Sequence, residues 1–495
     1  MLKTDSKFSQ LHSATFREFI LLPRKTCPEH AIGTVDLMTS ASEGFPLSIP
    51  FMSAAMESVT GYELAIALAS HGGIGVLPAG RVSADEQVRQ IEKVKAYRDG
   101  FLRTFYKVRS DCKLREVDRL ELTYGYSSYP VLDEDGRLVG AISSGDYHPI
   151  EDLDLPVTER MVPLSDLTLF RTESPRTIEE TMFSGQRGHA YLVDSENRLE
   201  ALIVRSGLKR ELRFREAIRD DSGRLKVAAA ISTHPEDRER ARRCVEAGAD
   251  LICIDSSDGF SEYMAETVEQ VKNMNVPVVA GNVVDRAGFD FLAQRGADAI
   301  KIGVGSGSIC TTRRVKAIGR GQATAVRQVA LARDEWAQRT GKYIPLISDG
   351  GLAGTGDMSV ALALGADVLM MGKYFAGFDE SPTQAYVKKF PVFSSGGSEE
   401  VTVSVKPYWG EASARAKNVR RYQQDDPRTF VIEGEEGYVL SKGSLHDHVP
   451  RDLKAIRGTL SSCGCSSLAE FRAEVRLERQ SVGSQQEGGT SIFQG

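Results

Sequence analysis

A chain of 495 residues is too long for one ordinary domain. Its 41% hydrophobic and 26% charged content is that of a water-soluble globular protein, and a net charge of −6 with no basic block argues against a nucleic-acid partner. No apolar run approaches the ~20 residues of a membrane span, the opening MLKTDSKFSQLHS holds no apolar signal core, and seven scattered cysteines fit a reducing compartment, so a cytoplasmic protein is expected.

In chain order, the first elements are two short apolar runs, SIPFMSA (48–54) and GGIGVLPA (72–79), with the helical stretch ELAIALASHGG between them. A segment of different texture follows over about 104–215. It holds an internal repeat: YPVLDEDGRLVGAISSGDY (129–147) matches AYLVDSENRLEALIVRSGL (190–208), each predicting a β-hairpin around turn residues and preceded by a helical pattern. Six further apolar runs come after residue 225: VAAAIS (227–232), LICID (251–255), VPVVAGN (276–282), AIKIGV (299–304), IPLISDG (344–350) and VLMMG (368–372). Three of them follow a Gly-Ala-Asp triplet, at 248–250, 296–298 and 365–367. Continuous apolar runs alternating with helices predict parallel strands buried on both faces. Two plus six strands close a (β/α)8 barrel interrupted by an inserted module, with a doubly wound open sheet as the alternative. The predicted domains are 1–103 and 216–495 for the barrel and 104–215 for the insert. The polar stretch from about 385 to 450, with Ser-Ser-Gly-Gly-Ser at 394–398 and no clear apolar period, reads as a flap.

Barrel chemistry sits at the C-terminal strand ends. There the sequence offers Asp255-Ser256-Ser257, Asn282, Asp349-Gly350-Gly351 and Gly372-Lys373. The last two Gly-rich ends suit phosphate, through free backbone N–H groups. After AIKIGV comes GVGSGSICTT (303–312), which presents a single thiol, Cys310. A lone cysteine is ordinarily a small buried hydrophobe, and Cys253 inside LICID reads that way. Cys310 is flanked instead by Gly, Ser, Thr and Arg, a setting for an exposed, reactive thiolate. Cys463-Gly-Cys465 has no His or Cys partners at zinc spacing and reads as two ordinary thiols. Asp349 beside two glycines reads as a ribose ligand in preference to a helix cap.

The runs GSGSICTT, IGRGQATAV, SDGGL, YWGEASARAKN and RRY, with FMSAAMESVTG (51–61) and LICIDSSDGFS (251–261), resemble the inosine 5'-monophosphate dehydrogenase and GMP reductase family over almost the whole chain. The resemblance implies a barrel with a tandem CBS insert. It implies that Cys310 attacks C2 of IMP, that hydride passes to NAD, and that water hydrolyses the covalent E–XMP adduct to XMP. Ser308, Gly350, Gly351, Gly372, Lys373 and Tyr408 would hold the phosphate, Asp349 the ribose, and Met56, Gly410 and Glu411 the base, with Ala412 where the family often has glycine. Asp255, Ser256, Ser257, Asn282, Gly303 and Gly305 would face NAD, with no Rossmann fingerprint. Arg421-Tyr422 on the flap would activate water, or Thr312 with Glu433 would. Carbonyls of Gly305, Gly307 and Cys310, with Glu487-Gly488-Gly489 of a neighbouring subunit, would ring a potassium ion, implying a homotetramer and leaving octamers open. In the insert, the ribose-contacting Ser/Thr-x-x-Asp pattern is present as Ser143 and Asp146 and replaced by Val204 and Gly207 in the second copy. The resemblance implies a nucleotide regulator at the insert, whose second copy departs from the binding pattern.

Three functions fit these residues. A dehydrogenase needs the Arg-Tyr flap; a GMP reductase, using NADPH, does not, and carries a glutamate where this chain has Ala414. A silent nucleotide sensor would be expected to lack part of the set Cys310, Thr312, Arg421 and Tyr422, all of which are present.

Overall fold

The structure is a computed structural model that describes residues 13–103, 105–125, 128–171, 175–184, 188–211, 214–394, 397–415 and 431–489. It divides into two compact units, one made of residues 1–96 with 216–495 and the other of 97–215.

The first unit is built on eight parallel strands: β1 (Phe51–Ser53), β2 (Val76–Leu77), β3 (Ala228–Ile231), β4 (Leu251–Asp255), β5 (Val278–Val283), β6 (Ala299–Ile302), β7 (Leu346–Asp349) and β8 (Val368–Met371). They run in the order β1-β8-β7-β6-β5-β4-β3-β2. The sheet then closes on itself: Ile74 N–H donates to Phe51 O at 3.0 Å and Ser53 N–H to Ile74 O at 3.1 Å. Each of the eight expected runs supplies one strand, and an open doubly wound sheet is excluded. The strands are largely apolar on both faces because the barrel interior and the helix layer both exclude water, and their C-terminal ends reach the mouth.

Helices follow the strands in turn: α1 (Tyr62–Ser70), α2 (Ala84–Ala96), α3 (Asp237–Glu246), α4 (Glu262–Lys272), α5 (Arg286–Gln294), α6 (Gln322–Thr340) and α7 (Thr355–Ala363). The place after β8 is taken by α8 (Leu445–Ser462), which packs on both α7 and α1. Between β8 and α8 the chain forms a three-stranded antiparallel sheet of Tyr386–Ser394, Gly397–Trp409 and Glu436–Leu440. The expected flap of 385–450 is thus strand over much of its length, and its end belongs to α8. The hairpin presents Tyr386, Val387 and Val401 to solvent, so its apolar residues do not gather on one buried face.

The Gly-Ala-Asp triplets have one geometry. The glycines turn the chain out of α3, α5 and α7 at φ of +101°, +88° and +118°, which a side chain would resist. Each alanine is buried. Each aspartate accepts a backbone N–H at the start of the preceding strand: Asp250 from Val227 at 2.8 Å, Asp298 from Val278 at 2.9 Å and Asp367 from Leu346 at 2.9 Å. Each also pairs with a base, Lys95, Lys272 and Arg333 respectively.

The second unit carries two copies of a helix and hairpin: Leu114–Tyr124 before Ser128–Leu132 and Leu138–Ser143, and Pro175–Ser184 before His189–Val193 and Leu199–Val204. Each hairpin is the centre of a four-stranded sheet. Tyr191, Val193 and Leu202 of one pack with Leu132, Leu138 and Ala141 of the other. The unit begins at 97, earlier than the expected 104, because Phe101–Leu102 pairs with Leu199–Val204.

Candidate active site

The loop after β6 brings the thiol to the mouth. Gly303 opens it at φ +138°, where an added Cβ would lie 2.4 Å from Asp349 O, so no larger residue fits. Cys310 N–H closes a turn on Gly307 O at 3.1 Å. The loop is then zippered to residues 433–435: Thr311 N–H donates to Glu433 O at 2.8 Å, and Glu435 N–H to Ile309 O at 2.9 Å. Cys310 is left exposed. Its Sγ lies 3.1 Å from Thr312 Oγ1, and the Thr312 hydroxyl donates to Glu433 Oε2 at 3.0 Å. Thr312 has one proton and spends it on Glu433, so it is placed to accept from the thiol. The basic neighbours face the same segment: Arg314 pairs with Glu435, and Lys316 Nζ lies 2.8 Å from Glu433 Oε1.

Two cavities meet at this loop, sharing Gly305, Ser306, Gly307 and Asp349. One, of about 770 Å³, is lined by Met56, Ser308, Gly350, Gly351, Gly372, Lys373 and Tyr408. Gly350 (φ +82°) and Gly351 (φ +76°) turn their backbone here, and a Cβ on Gly372 would lie 3.0 Å from both Tyr408 Oη and Met56 Sδ. Burial pushes the Tyr408 phenol up to about 12, despite its hydrogen bond with Ser308, so it is a neutral donor at physiological pH. Glycines, hydroxyls and the basic side chains of Arg17, Arg313, Lys373 and Lys442 in this cavity suit a phosphate.

The other cavity, of about 430 Å³, is lined by Asp255, Ser256, Ser257, Asn282, Gly303, Cys310, Thr312, Glu411 and Glu433. Glu411 Oε1 accepts from Glu57 N–H at 2.8 Å, and Gly410 N–H donates to Glu435 O at 3.2 Å, tying the base-binding segment to the rim. Asn282 Nδ2 donates to Asp349 Oδ2 at 2.9 Å. Sequence reasoning missed the residue that joins these groups. Lys301 lies within β6, 2% exposed, and its Nζ sits 2.6 Å from Asp255 Oδ1 and 3.1 Å from Asp349 Oδ2. Burial pulls the ammonium toward neutrality, and the two carboxylates outweigh it, holding Lys301 above its ordinary value. Its signal was a lysine inside an otherwise apolar strand. Ser232, Thr233 and His234, at the end of β3, also line this cavity and were missed because that run ends without charge.

Arg421 and Tyr422 lie outside the described residues. Glu487 ends a short helix, Val482–Glu487, and Gly488 and Gly489 bond back to Ser484 O and Gln486 O; all three are exposed. Among the described residues, Cys27, Glu29 and His30 alone cluster their metal-ligating atoms. That cluster is a reciprocal cap on one turn, with Cys27 N–H donating to His30 Nδ1 at 3.2 Å.

Comparison with known proteins decides the family. The sequence matches the IMP dehydrogenase / GMP reductase domain over residues 13–491. The chain belongs to the IMP dehydrogenase / GMP reductase family. An inosine-5'-monophosphate dehydrogenase of Tritrichomonas foetus is 35% identical, covering 96% of this chain and 95% of that protein. One of Aquifex aeolicus is 34% identical, covering 97% and 95%. A crystal structure of GMP reductase from Trypanosoma brucei in complex with guanosine 5'-monophosphate superposes with a TM-score of 0.81 at 28% identity, covering 98% of this chain and 99% of that one. The IMP dehydrogenase / GMP reductase family is one of oxidoreductases, and the sequence expectation of an oxidoreductase on a barrel holds. No helix among the described residues is long and apolar enough to cross a membrane.

Proposed function

We propose that this protein oxidises IMP to XMP with NAD through a covalent adduct on Cys310. The observation that carries the reading is the unbroken run from thiol to carboxylate, Cys310 Sγ to Thr312 Oγ1 to Glu433 Oε2, at 3.1 and 3.0 Å. Cys310 is exposed, and its sulfur adds to C2 of the purine with its proton leaving to solvent. NAD, when bound, accepts the hydride that leaves C2. Water then adds to C2 of the adduct while one of its protons passes by way of Thr312 to Glu433, and the C2–S bond breaks, the departing sulfur taking that proton back along the same run to restore the thiol. Arg421 and Tyr422 are the second candidate route for that proton, by sequence resemblance.

The phosphate end of IMP belongs in the larger cavity, against Ser308, Gly351, Gly372 and Tyr408, with Asp349 on the ribose. Asp255, Ser256, Ser257 and Asn282 fit the nicotinamide ribose: polar, clustered at one mouth, and adjoining the thiol. Carbonyls of Gly305, Gly307 and Cys310 would supply one chain's share of a potassium site, Gly307 O keeping a second lone pair beside the N–H of Cys310, and Glu487-Gly488-Gly489 of a neighbouring subunit would supply the rest. The cation and the tetramer therefore stand or fall together. Residues 97–215 are proposed as a CBS pair. Ser143 Oγ and Asp146 Oδ2 lie 2.7 Å apart, a pair suited to a ribose, whereas Gly207 of the second copy has Gly100 Cα 2.2 Å from its Cβ position and no room for a side chain.

GMP reductase is the second reading, favoured by the likeness to the Trypanosoma brucei structure. A reductase releases ammonia and hydrolyses no adduct, so it has no use for the Arg421-Tyr422 pair, whereas Thr312 with Glu433 would serve either reaction, as base toward water or as acid toward the leaving amine. The test is NADH formation from IMP and NAD, with and without potassium, beside Cys310→Ala. Potassium-dependent NADH that vanishes in the variant is expected. NADPH loss with GMP, and none formed from IMP, would move the assignment to the reductase.

A further inference from the structure

Glu433 can serve Thr312 only if its carboxylate keeps one oxygen turned to the hydroxyl. Nothing in the backbone ensures this. Residues 431–434 are nearly free of regular structure, and a glutamate has three rotatable bonds. The restraint comes from the far end of the helix that carries the threonine. Thr312 is the first and Lys316 the last residue of the helix Thr312–Lys316, so their side chains share a face. Lys316 Nζ lies 2.8 Å from Oε1 of Glu433 while Thr312 Oγ1 is 3.0 Å from Oε2. One carboxylate is thus gripped at both oxygens by one turn of helix. Glu433 is 12% exposed and Lys316 36%, so the pair is shielded on the acid's side.

The neighbouring charges are already divided. Arg314, on the opposite face of the same turn, takes Glu435. Asp258 is the other acid acting on Lys316, and its influence is smaller than that of Glu433. No second base is paired with Glu433 among the described residues.

We propose that Lys316 is a positioning residue for adduct hydrolysis: by holding Oε1 of Glu433 it keeps Oε2 on Thr312, and so keeps the threonine poised to take a proton from water. This rests on the dehydrogenase reading above. Lys316 is among the lining residues of neither cavity. It therefore bears on the hydrolytic half of the cycle and leaves nucleotide binding alone.

The experiment separates the two halves. The NADH burst reports hydride transfer in the first turnover, and the steady-state rate reports hydrolysis. Both are measured in an Arg421→Ala background, where turnover depends on Thr312 and Glu433. Lys316→Met is expected to leave burst amplitude and the KM for IMP within about twofold and to slow steady-state turnover by about tenfold or more, as misplacement of a catalytic group does. Lys316→Arg, which keeps the cation, restores most of the rate. In a double-mutant cycle, Lys316→Met adds nothing to Glu433→Gln, because the lysine acts only through the glutamate. Additive losses, or a burst that falls in step with turnover, overturn the proposal. Absence of any NADH from the unsubstituted protein overturns the dehydrogenase reading, and the proposal with it; a burst with normal turnover in Lys316→Met overturns the proposal alone.

Discussion

Lys301 is the residue on which the mouth of the barrel is organised. A buried ammonium is costly unless paired, and here it faces two carboxylates from two different strand ends, Asp255 of β4 and Asp349 of β7. The proposed roles put one carboxylate on each nucleotide, so the same cation serves both ligands. Removing it leaves two acids sharing a site with no counter-charge. Lys301→Met is expected to lower kcat/KM for IMP and for NAD together, each by about ten- to a hundredfold, or ~1.4–2.7 kcal/mol. Steady-state kinetics with either nucleotide varied checks this; a loss confined to one nucleotide would mean that Lys301 serves only one carboxylate. Asp255, Asn282 and Asp349 were legible in sequence because each ends an apolar run, where a barrel exposes its strands. Lys301 was not, because strand reading treats a buried run as uniform. A charge in its middle is readable only once closure of the barrel shows that alternate residues point inward.

At the scale of elements, the Gly-Ala-Asp repeat shows how a short motif fixes a strand register. Every copy turns out of a helix on a glycine, buries an alanine and clasps the backbone N–H that opens the neighbouring strand. The copies differ in burial. Asp367 and Arg333 are 3% and 4% exposed, and Asp367 also accepts from Tyr343 Oη at 2.9 Å. Asp298 pairs with Lys272, which is 38% exposed and has water in reach when its partner is lost. Asp367→Ala removes the buried carboxylate that Arg333, Arg472 and Tyr343 share, leaves Arg333 the half-exposed Asp334 as its acid, and is expected to cost about 3–5 kcal/mol. Asp298→Ala loses a backbone bond and a half-exposed ion pair, at about 1–2 kcal/mol. Urea unfolding of the two variants measures the difference, and equal losses would refute the assigned burial effect. The repeat itself was plain in the sequence; its clasp was not, since the bonded N–H groups lie about twenty residues upstream. The hairpin of Tyr386–Ser394 and Gly397–Trp409 was missed for another reason. Val401-Thr402-Val403-Ser404-Val405 alternates as a strand should, but charge at Lys388, Lys389, Glu399 and Glu400 falls on both faces around it, and the polar composition of the whole stretch outweighed five alternating residues.

For the whole molecule, the question is whether the barrel needs the unit of residues 97–215. Each unit has its own core: Phe170, Ile178, Leu192 and Ile203 cluster within the second, and the barrel strands within the first. The two ends of the interruption are also tied inside the barrel unit. Lys95, near the end of α2, is 5% exposed and binds Asp220 at 3.0 Å and Asp250 at 2.7 Å, so the chain before the insert is fastened to the chain after it. That clasp does the work a continuous backbone would otherwise do, since loop closure costs little once its ends are held. Replacing residues 98–214 with a short Gly/Ser linker is therefore expected to leave the barrel folded and its NADH-forming turnover within about threefold, the ends of an inserted domain being commonly close. Adding Lys95→Met to the same deletion should destabilise it by about 3–5 kcal/mol, by freeing two acids that a buried cation had held. If the linker variant is unfolded with Lys95 intact, the second unit contributes core to the first; if it folds equally well without Lys95, the clasp is not what holds the two ends of the barrel together.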